Sequence, residues 1–188
     1  GLGFVQMLFE RHAPDVRVIE QQKEGTLFEA GDILLQLKGN TQSILSLERI
    51  ALNALQRMSG IAKITQSLQQ KITRTSCQLL DTRKTTPNFR IAEKWAVAIG
   101  GGTNHRMGLY DAIMVKDNHI DFVGDIPATL AKVKAYLDRL DYPIPVIVET
   151  RNLEQIDDCL DFPWVERILL DNMTPEEVES AVSHIAGA

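Results

Sequence analysis

The sequence predicts an α/β protein in two parts: part of a small α+β domain over residues 1–73, and the first four βα units of an incomplete α/β barrel over residues 74–188. Three observations lead to this prediction. Short strand-like runs precede one long stretch of helical periodicity. Strands and helices then alternate, which is typical of parallel βαβ units. Each predicted strand of the second part is followed directly by a charged residue.

Residues 1–45 are predicted to alternate short strand-like runs with turns and to contain no helix before residue 43. The clearest runs are Val16–Glu20, a short strand within the turn Gly25–Asp32, and Ile33–Lys38. From Ser43 to about Ile72 apolar residues recur with a period near 3.6, and Gly60 interrupts the stripe. This pattern predicts one long helix or two, with a domain boundary near residue 73.

The second part is regular. Four short apolar strands are predicted at Cys77–Leu80, Ala112–Val115, Ile144–Val148 and Arg167–Leu170. Helices are predicted over Phe89–Ile99, Pro127–Leu140 and Leu153–Leu160, and a last helix begins after Thr174, with Glu177 completing a capping box. A full eight-stranded barrel takes about 250 residues. Either the fold is an open half-barrel sheet or the barrel is cut before closure, and we expect the second.

A charged residue follows each strand: Asp81, Lys116, Glu149 and Asp171. In parallel α/β proteins the functional site lies at the carboxyl ends of the strands. The sequence thus predicts that these four side chains meet at one edge of the sheet.

Net charge, the length of the apolar runs and the positions of the cysteines exclude several classes of protein. The net charge is −5, which disfavours a nucleic-acid binder that relies on overall positive charge. No apolar run reaches the length of a transmembrane helix, and the N-terminus lacks a signal-peptide pattern. Cys77 and Cys159 each lie in an apolar run, which predicts buried thiols in a reducing compartment. We expect a cytoplasmic protein that binds neither nucleic acid nor membrane.

Cationic side chains are densest between residues 81 and 119. Arg83 and Lys84 follow the first strand, His105 and Arg106 follow a run of three glycines, and Lys116 ends the second strand. Arginine suits a carboxylate or phosphate, and lysine provides a point charge for phosphate. The cluster predicts an anion site. The alternative is surface ion pairing with three nearby carboxylates, those of Asp81, Asp111 and Asp117.

Two further features have more than one interpretation. The glycine run Gly100–Gly102 could let the backbone approach an anion, or could simply end the preceding helix. Glu149 and Asp171 could bind ribose hydroxyls or Mg²⁺, or could cap the helices that follow them. Position alone does not choose between these interpretations.

At these residues the sequence closely resembles the quinolinate phosphoribosyltransferase family. The matching segments cover essentially the whole chain: Glu48–Asn53, Met58–Ala62, Leu80–Pro87, Gly100–Leu109, Lys116–Ile120, Val148–Glu149 and Leu169–Met173. The resemblance implies a type II phosphoribosyltransferase barrel. It also implies transfer of phosphoribosyl from phosphoribosyl pyrophosphate to quinolinate with loss of CO₂, assisted by Mg²⁺. The products are nicotinate mononucleotide and pyrophosphate, in NAD synthesis.

The resemblance also implies roles for individual residues. The quinolinate carboxylates would be held by Arg83, His105 and Arg106, while Lys84 and Lys116 would meet carboxylate or phosphate oxygens. Glu149 and Asp171 would face the ribose and the Mg²⁺ ion, so the catalytic set is Lys84, Lys116, Glu149 and Asp171. Arg49 would reach into the site of a partner subunit, which implies a homodimer.

The sequence departs from the family pattern in three places. Asn88 stands where many members have glycine, and Asn tolerates the same left-handed backbone. The chain begins inside the family's N-terminal domain and stops before its last barrel strands.

Three other functions are compatible with this fold: a paralogue associated with molybdenum transport, a nicotinate phosphoribosyltransferase and a non-catalytic anion-binding module. The pair Arg83-Lys84 and the segment Lys116–His119 argue against the molybdenum-transport paralogue, and the several cations favour a dicarboxylate over nicotinate. The non-catalytic module stays open.

Overall fold

The computed structural model describes residues 1–187 and contains two compact units, the first from Gly1 to His105 and the second from Arg106 onward. These units differ from the division at residue 73 that periodicity predicts. The helix after Phe89 belongs to the first unit because its Ala92 and Ala96 pack against Met58 of the long helix before residue 73.

The first unit contains three helices and one two-stranded antiparallel sheet: α1 (Leu2–His12), β1 (Arg17–Gln21), β2 (Leu35–Lys38), α2 (Thr41–Ile72) and α3 (Arg90–Ile99). Helix α2 is one continuous helix, so Gly60 does not break it. Its N-terminus is capped by Asn40, whose side-chain oxygen accepts hydrogen bonds from the amides of Gln42 and Ser43.

Three expectations for this unit are wrong. Residues 2–12 form α1 and not a strand-like run, because Leu2, Val5 and Phe9 fall on one face of a helix and are buried. The segment 25–32 contains turns but no strand. The strand expected over 77–80 is reduced to one parallel bridge between Leu80 and Thr103, because neither strand of the two-stranded sheet pairs with this run.

The second unit is a parallel α/β structure, as predicted. Its elements are β3 (Ile113–Val115), α4 (Asp117–Val123), α5 (Ile126–Leu137), β4 (Val146–Thr150), α6 (Leu153–Leu160), β5 (Arg167–Leu170) and α7 (Pro175–Gly187). The three strands are parallel and lie in the order β3-β4-β5. The capping box before α7 is confirmed, since Glu177 accepts from the Thr174 amide at 2.7 Å and donates its own amide to the Thr174 hydroxyl at 3.3 Å.

The sheet of the second unit has one face covered by helices and one face opposite to them. The opposite face has the apolar residues Met114, Ile147 and Leu169 along its strands and the charged residues at its carboxyl end, and is here called the polar face. The helix-covered core contains Val115, Val148, Leu130 and Cys159. Burying each such aliphatic side chain contributes about 1.5–3 kcal/mol. Residues of the opposite parity point away from this core and so line the other face of the sheet. None of the helices within residues 1–187 is long and apolar enough to cross a membrane.

Candidate functional site

The polar face of the second unit is built by strand register. Val115 pairs with Val148, and Glu149 pairs with Leu169. Lys116, Glu149 and Asp171 therefore point to the same side of the sheet, because each lies at the parity opposite to the buried valines. Lys116 Nζ donates to Glu149 Oε1 at 2.8 Å. The Glu149 side chain is 13% exposed, whereas that of Lys116 is 44% exposed.

Arg106 lies on the same face of the sheet. Its guanidinium donates to the carbonyl oxygen of Ala112 at 3.1 Å and approaches the sulfur of Met114 at 3.5 Å. The turn that carries Arg106 is fixed by Asp111, which accepts from the Met107 amide at 2.6 Å and the Gly108 amide at 2.9 Å. Burial opposes ionisation of Asp111, but these amides and the Arg106 charge lower the pKa of its carboxyl below the usual value.

Neither strand-end carboxylate of this unit caps a helix. Asn152 caps α6, and Thr174 forms the capping box of α7. Asp171 accepts instead from the side-chain amide of Asn172 at 2.9 Å, and Glu149 pairs with Lys116. The capping interpretation is therefore wrong for Glu149 and Asp171, and both carboxylates stay on the polar face.

In the first unit, Arg83 and Lys84 lie on the segment Asp81–Thr86, here called the 81–86 loop. Asp81 anchors its start by accepting from the His105 amide at 2.8 Å and by pairing with Lys94. The loop and His105 are thereby joined through one carboxylate. Lys84 is exposed, and its amide donates to the Thr82 hydroxyl at 3.0 Å. Asn88 lies in the turn that follows and has φ 61°. This is the left-handed conformation predicted for it, because asparagine stands here where many family members have glycine.

The side chain of Arg83 has an unsatisfied donor. Within residues 1–187 its Nε is buried and has no hydrogen-bond partner. A buried donor left unpaired costs about 1–3 kcal/mol, so native structures rarely keep one without a reason. Arginine presents Nε and a terminal nitrogen as a planar fork that matches a carboxylate. The geometry thus favours an anionic ligand at Arg83.

The glycine run ends helix α3. Gly101 has φ 87°, its amide donates to the Ala98 carbonyl, and the Gly102 amide donates to the Val97 carbonyl, which together form a Schellman motif. A Cβ on Gly100 would lie 2.5 Å from the carbonyl oxygen of Ala62 on α2. The interpretation as a helix end and packing site is therefore supported for this run.

The other residues singled out from the sequence differ in their exposure to solvent. Arg49 is exposed on α2, and His105 lies half-buried directly before Arg106. Cys77 is exposed, so the expectation of burial is wrong for it, whereas Cys159 is buried and burial raises the pKa of its thiol to about 12.

No group of three or more His, Cys, Asp or Glu side chains among residues 1–187 could hold a metal ion. Glu149 and Asp171 supply two carboxylates, which suits Mg²⁺ held largely by water and phosphate oxygens.

Sequence reasoning missed three residues that hold the 81–86 loop, namely Arg90, Glu93 and Lys94 on α3. Their signal was present but weak. Glu93 and Lys94 lie between Ala92 and Ala96, where a helix buried in this unit should be apolar, and both side chains are buried. Buried charges are rarely found without partners.

Comparison with known proteins gives consistent similarities. Family models described as the N-terminal and C-terminal domains of quinolinate phosphoribosyl transferase match residues 1–59 and 61–188. An Arabidopsis thaliana protein named nicotinate-nucleotide pyrophosphorylase (carboxylating), chloroplastic, is 41% identical over 178 residues, covering 92% of this chain and 51% of its own. A Synechocystis protein with the same name, prefixed "probable", is 38% identical and covers 100% of this chain and 62% of its own.

Solved structures agree with these relatives. NadC from Streptococcus pyogenes is 40% identical with a TM-score of 0.88, covering 100% of this chain and 65% of its own. The nicotinate-nucleotide pyrophosphorylase from Francisella tularensis is 36% identical with a TM-score of 0.87 and the same coverage. The chain spans about half the length of the plant relatives it matches. The predicted fold class is thus confirmed.

Proposed function

This chain belongs to the quinolinate phosphoribosyltransferase family, and from that membership we propose that its protein transfers phosphoribosyl from phosphoribosyl pyrophosphate to quinolinate. The products are nicotinate mononucleotide, pyrophosphate and CO₂, in NAD synthesis. The observation that best supports an anionic acceptor is the buried Nε of Arg83, which has no hydrogen-bond partner among the described residues 1–187. A carboxylate of quinolinate satisfies that donor.

The acceptor carries two carboxylates, and the first unit offers several groups that suit them. Arg83 provides a guanidinium fork, the neighbouring Lys84 provides an exposed ammonium, and His105 lies at the other end of the Asp81 anchor. Charge-assisted hydrogen bonds contribute about 1.5–3 kcal/mol each. A monocarboxylate such as nicotinate leaves part of this charge unused. These groups therefore favour a dicarboxylate as the acceptor.

The polar face of the second unit suits the phosphoribosyl donor. The quinolinate nitrogen attacks the anomeric carbon as its bond to pyrophosphate breaks, and positive charge develops on the sugar. The nearly buried carboxylate of Glu149 stabilises that charge, while Lys116 pairs with Glu149 and meets donor or acceptor oxygens. Arg106 adds a second fixed cation on this face. Positioning and preorganised charge account for the rate.

Glu149 and Asp171 would hold Mg²⁺ together with pyrophosphate oxygens, and the ion would supply neutralising charge for the leaving group. Once the ring nitrogen is ribosylated, the C2 carboxylate leaves as CO₂. Its bonding electron pair stays on the ring carbon, where the cationic ring stabilises it until that carbon takes a proton from water.

Calorimetric titration tests the acceptor directly. Quinolinate is expected to bind the folded chain at least about tenfold more tightly than nicotinate, since one lost charge-assisted hydrogen bond is worth at least about 1.4 kcal/mol. Circular dichroism establishes that the sample is folded. Equal affinity for the two ligands contradicts the dicarboxylate acceptor. The titration is repeated on any longer polypeptide that the gene encodes.

A homodimer with Arg49 shared across the interface is part of the proposal. Arg49 is exposed on α2, so its guanidinium is accessible to another chain. Arg49→Ala and Arg106→Ala homodimers are each expected to lose activity, and mixing them is expected to restore up to about a quarter of it, because half the dimers are mixed and each has one intact site. The assay uses the polypeptide that the gene encodes. No recovery despite proven subunit exchange contradicts the shared site.

We also propose a cytoplasmic location. Cys77 and Cys159 are both free thiols in the structure. Free cysteines are typical of a reducing compartment.

A further inference from the structure

Helix α3 contacts the 81–86 loop at three points, and none of the three side chains involved is among the expected substrate-binding groups. We propose that Arg90, Glu93 and Lys94 are positioning residues that hold this loop so that Arg83 and Lys84 present their cations to the acceptor. The inference rests on the proposed function for its substrate. It adds residues that determine affinity without touching the ligand.

Lys94 holds the start of the loop. Its ammonium pairs with Asp81, and the two side chains are only 1% and 6% exposed. Asp81 also accepts from the His105 amide at 2.8 Å. With its amide oriented to satisfy both partners, Asn104 donates to the second Asp81 oxygen at 2.7 Å and to the Lys94 carbonyl at 2.8 Å. The carboxylate is thus bonded on both oxygens, which fixes where the loop begins.

Glu93 holds the end of the loop. Its carboxylate accepts from the Thr86 amide at 3.1 Å and from the Thr86 hydroxyl at 2.7 Å. Arg57 of α2 donates to the same carboxylate at 2.9 Å. Burial opposes ionisation of Glu93, but Thr86 and Arg57 lower its pKa below the usual value. The Glu93 side chain is 8% exposed and stays ionised around neutral pH, so it accepts several hydrogen bonds at once.

Arg90 holds the middle of the loop. Its terminal nitrogen donates to the carbonyl oxygen of Arg83 at 3.3 Å, and its Nε donates to the Thr85 hydroxyl at 3.2 Å. The backbone of Arg83 is therefore fixed from α3, while the Nε of Arg83 itself has no partner within residues 1–187. Fixed backbone with an unpaired side-chain donor is the arrangement expected of a group kept for a ligand.

Helix α3 is a rigid support for these three contacts. Arg90, Glu93 and Lys94 are spaced three and four residues apart, so they share one side of the helix. The opposite side packs through Ala92 and Ala96 against Met58 of α2. A displacement of about 1 Å at a binding group can cost on the order of a hundredfold in rate. Loss of the support is therefore expected to weaken binding although the ligand contacts remain.

Glu93→Gln tests the proposal. A glutamine has one accepting oxygen and an amide that faces the Thr86 and Arg57 donors, so it cannot hold Thr86 as the carboxylate does. We expect the Kd for quinolinate to rise about tenfold, and amide hydrogen exchange across residues 81–89 to speed up by a similar factor. In an Arg83→Lys background the same change is expected to raise Kd clearly less than it does in the wild type, because the flexible ammoniums at positions 83 and 84 depend less on loop geometry than the planar guanidinium fork does.

Phe9→Leu is the matched control. Phe9 lies in a separate core cluster of the first unit with Val5, Ala13 and Val16, so this variant lowers Tm without contacting the loop. Its Kd and its exchange rates at residues 81–89 are expected to equal those of the wild type. An additive effect of Glu93→Gln in both backgrounds, or equal effects of Phe9→Leu, overturns the positioning role. Failure of the wild type to bind quinolinate rejects the proposed acceptor and this role together, whereas wild-type binding with an unaffected Glu93→Gln rejects the role alone.

Discussion

Arg83→Ala is expected to weaken quinolinate binding by about a hundredfold or more, since it removes a bidentate charge-assisted contact worth about 3 kcal/mol. The same change is expected to leave Tm unchanged or to raise it, because it also removes the cost of an unpaired buried donor. The Nε of Arg83 is buried without a partner within residues 1–187, so the side chain adds little hydrogen bonding to the ligand-free fold. Calorimetry gives the Kd, and thermal unfolding followed by circular dichroism gives Tm.

Two further variants sharpen this test. Arg83→Lys keeps the positive charge but loses the fork, and is expected to bind with intermediate affinity. Arg74→Ala removes another arginine of the first unit, exposed beyond the end of α2, and is expected to bind quinolinate normally. If the Arg83→Ala chain folds and binds as tightly as the wild type, Arg83 does not contact the acceptor and the main support for the proposed function is lost.

Elements that sequence predicted well are those with local signals. Helix α6 and strand β5 begin and end at the predicted residues, and the capping box at Thr174 and Glu177 is present. A capping box needs only residues within one turn, and an amphipathic helix needs only one stripe. Parallel pairing of β4 with its neighbours followed from a run of valines and isoleucine that suits burial.

Elements that sequence predicted poorly depend on distant partners or unusual caps. The 77–80 run has strand-like composition but only one bridge, because a strand is stable only where neighbours complete its ladder. Helix α4 was missed because it is short and has no Ser, Thr, Asp or Asn N-cap residue; instead the ring Nδ1 of His119 accepts from the Lys116 amide at 2.9 Å. Helix α1 was missed although Leu2, Val5 and Phe9 are spaced three and four apart, since neighbouring turn signals favoured strands.

The residues of the site also fall into two groups, those that local sequence signals predict and those that depend on distant partners. The charged residue after each predicted strand led to the expectation that Asp81, Lys116, Glu149 and Asp171 meet at one sheet edge. Strand register confirms a shared face for the last three, whereas Asp81 follows a run that is not a strand of that sheet. Their partners were not predictable. Asp81 was expected among the carboxylates that could neutralise the cationic cluster, but the structure pairs it with Lys94, thirteen residues later on a different element. Such pairings depend on how α3 packs, which no local pattern specifies.

Lys94→Met is expected to destabilise the first unit by about 3–5 kcal/mol, because removing one partner of a buried ion pair leaves the other charge uncompensated. Methionine has a similar volume, so the loss reports the charge and not a cavity. Asp81 keeps its bonds to the His105 amide and Asn104, but its side chain is only 6% exposed and has no ammonium to balance it. Urea unfolding followed by Trp95 fluorescence, in a Trp164→Phe background, measures the loss.

The double variant Asp81→Asn/Lys94→Met separates stability from positioning. It removes both charges, so more than about half of the lost stability is expected to return. Quinolinate affinity is not expected to return with it, because a neutral side chain at position 81 no longer anchors the loop start by a charge-assisted bond to the His105 amide. If affinity recovers in step with stability, the pair serves the fold alone. If stability recovers and affinity does not, the buried charges are retained because they place Arg83 and Lys84 for the acceptor.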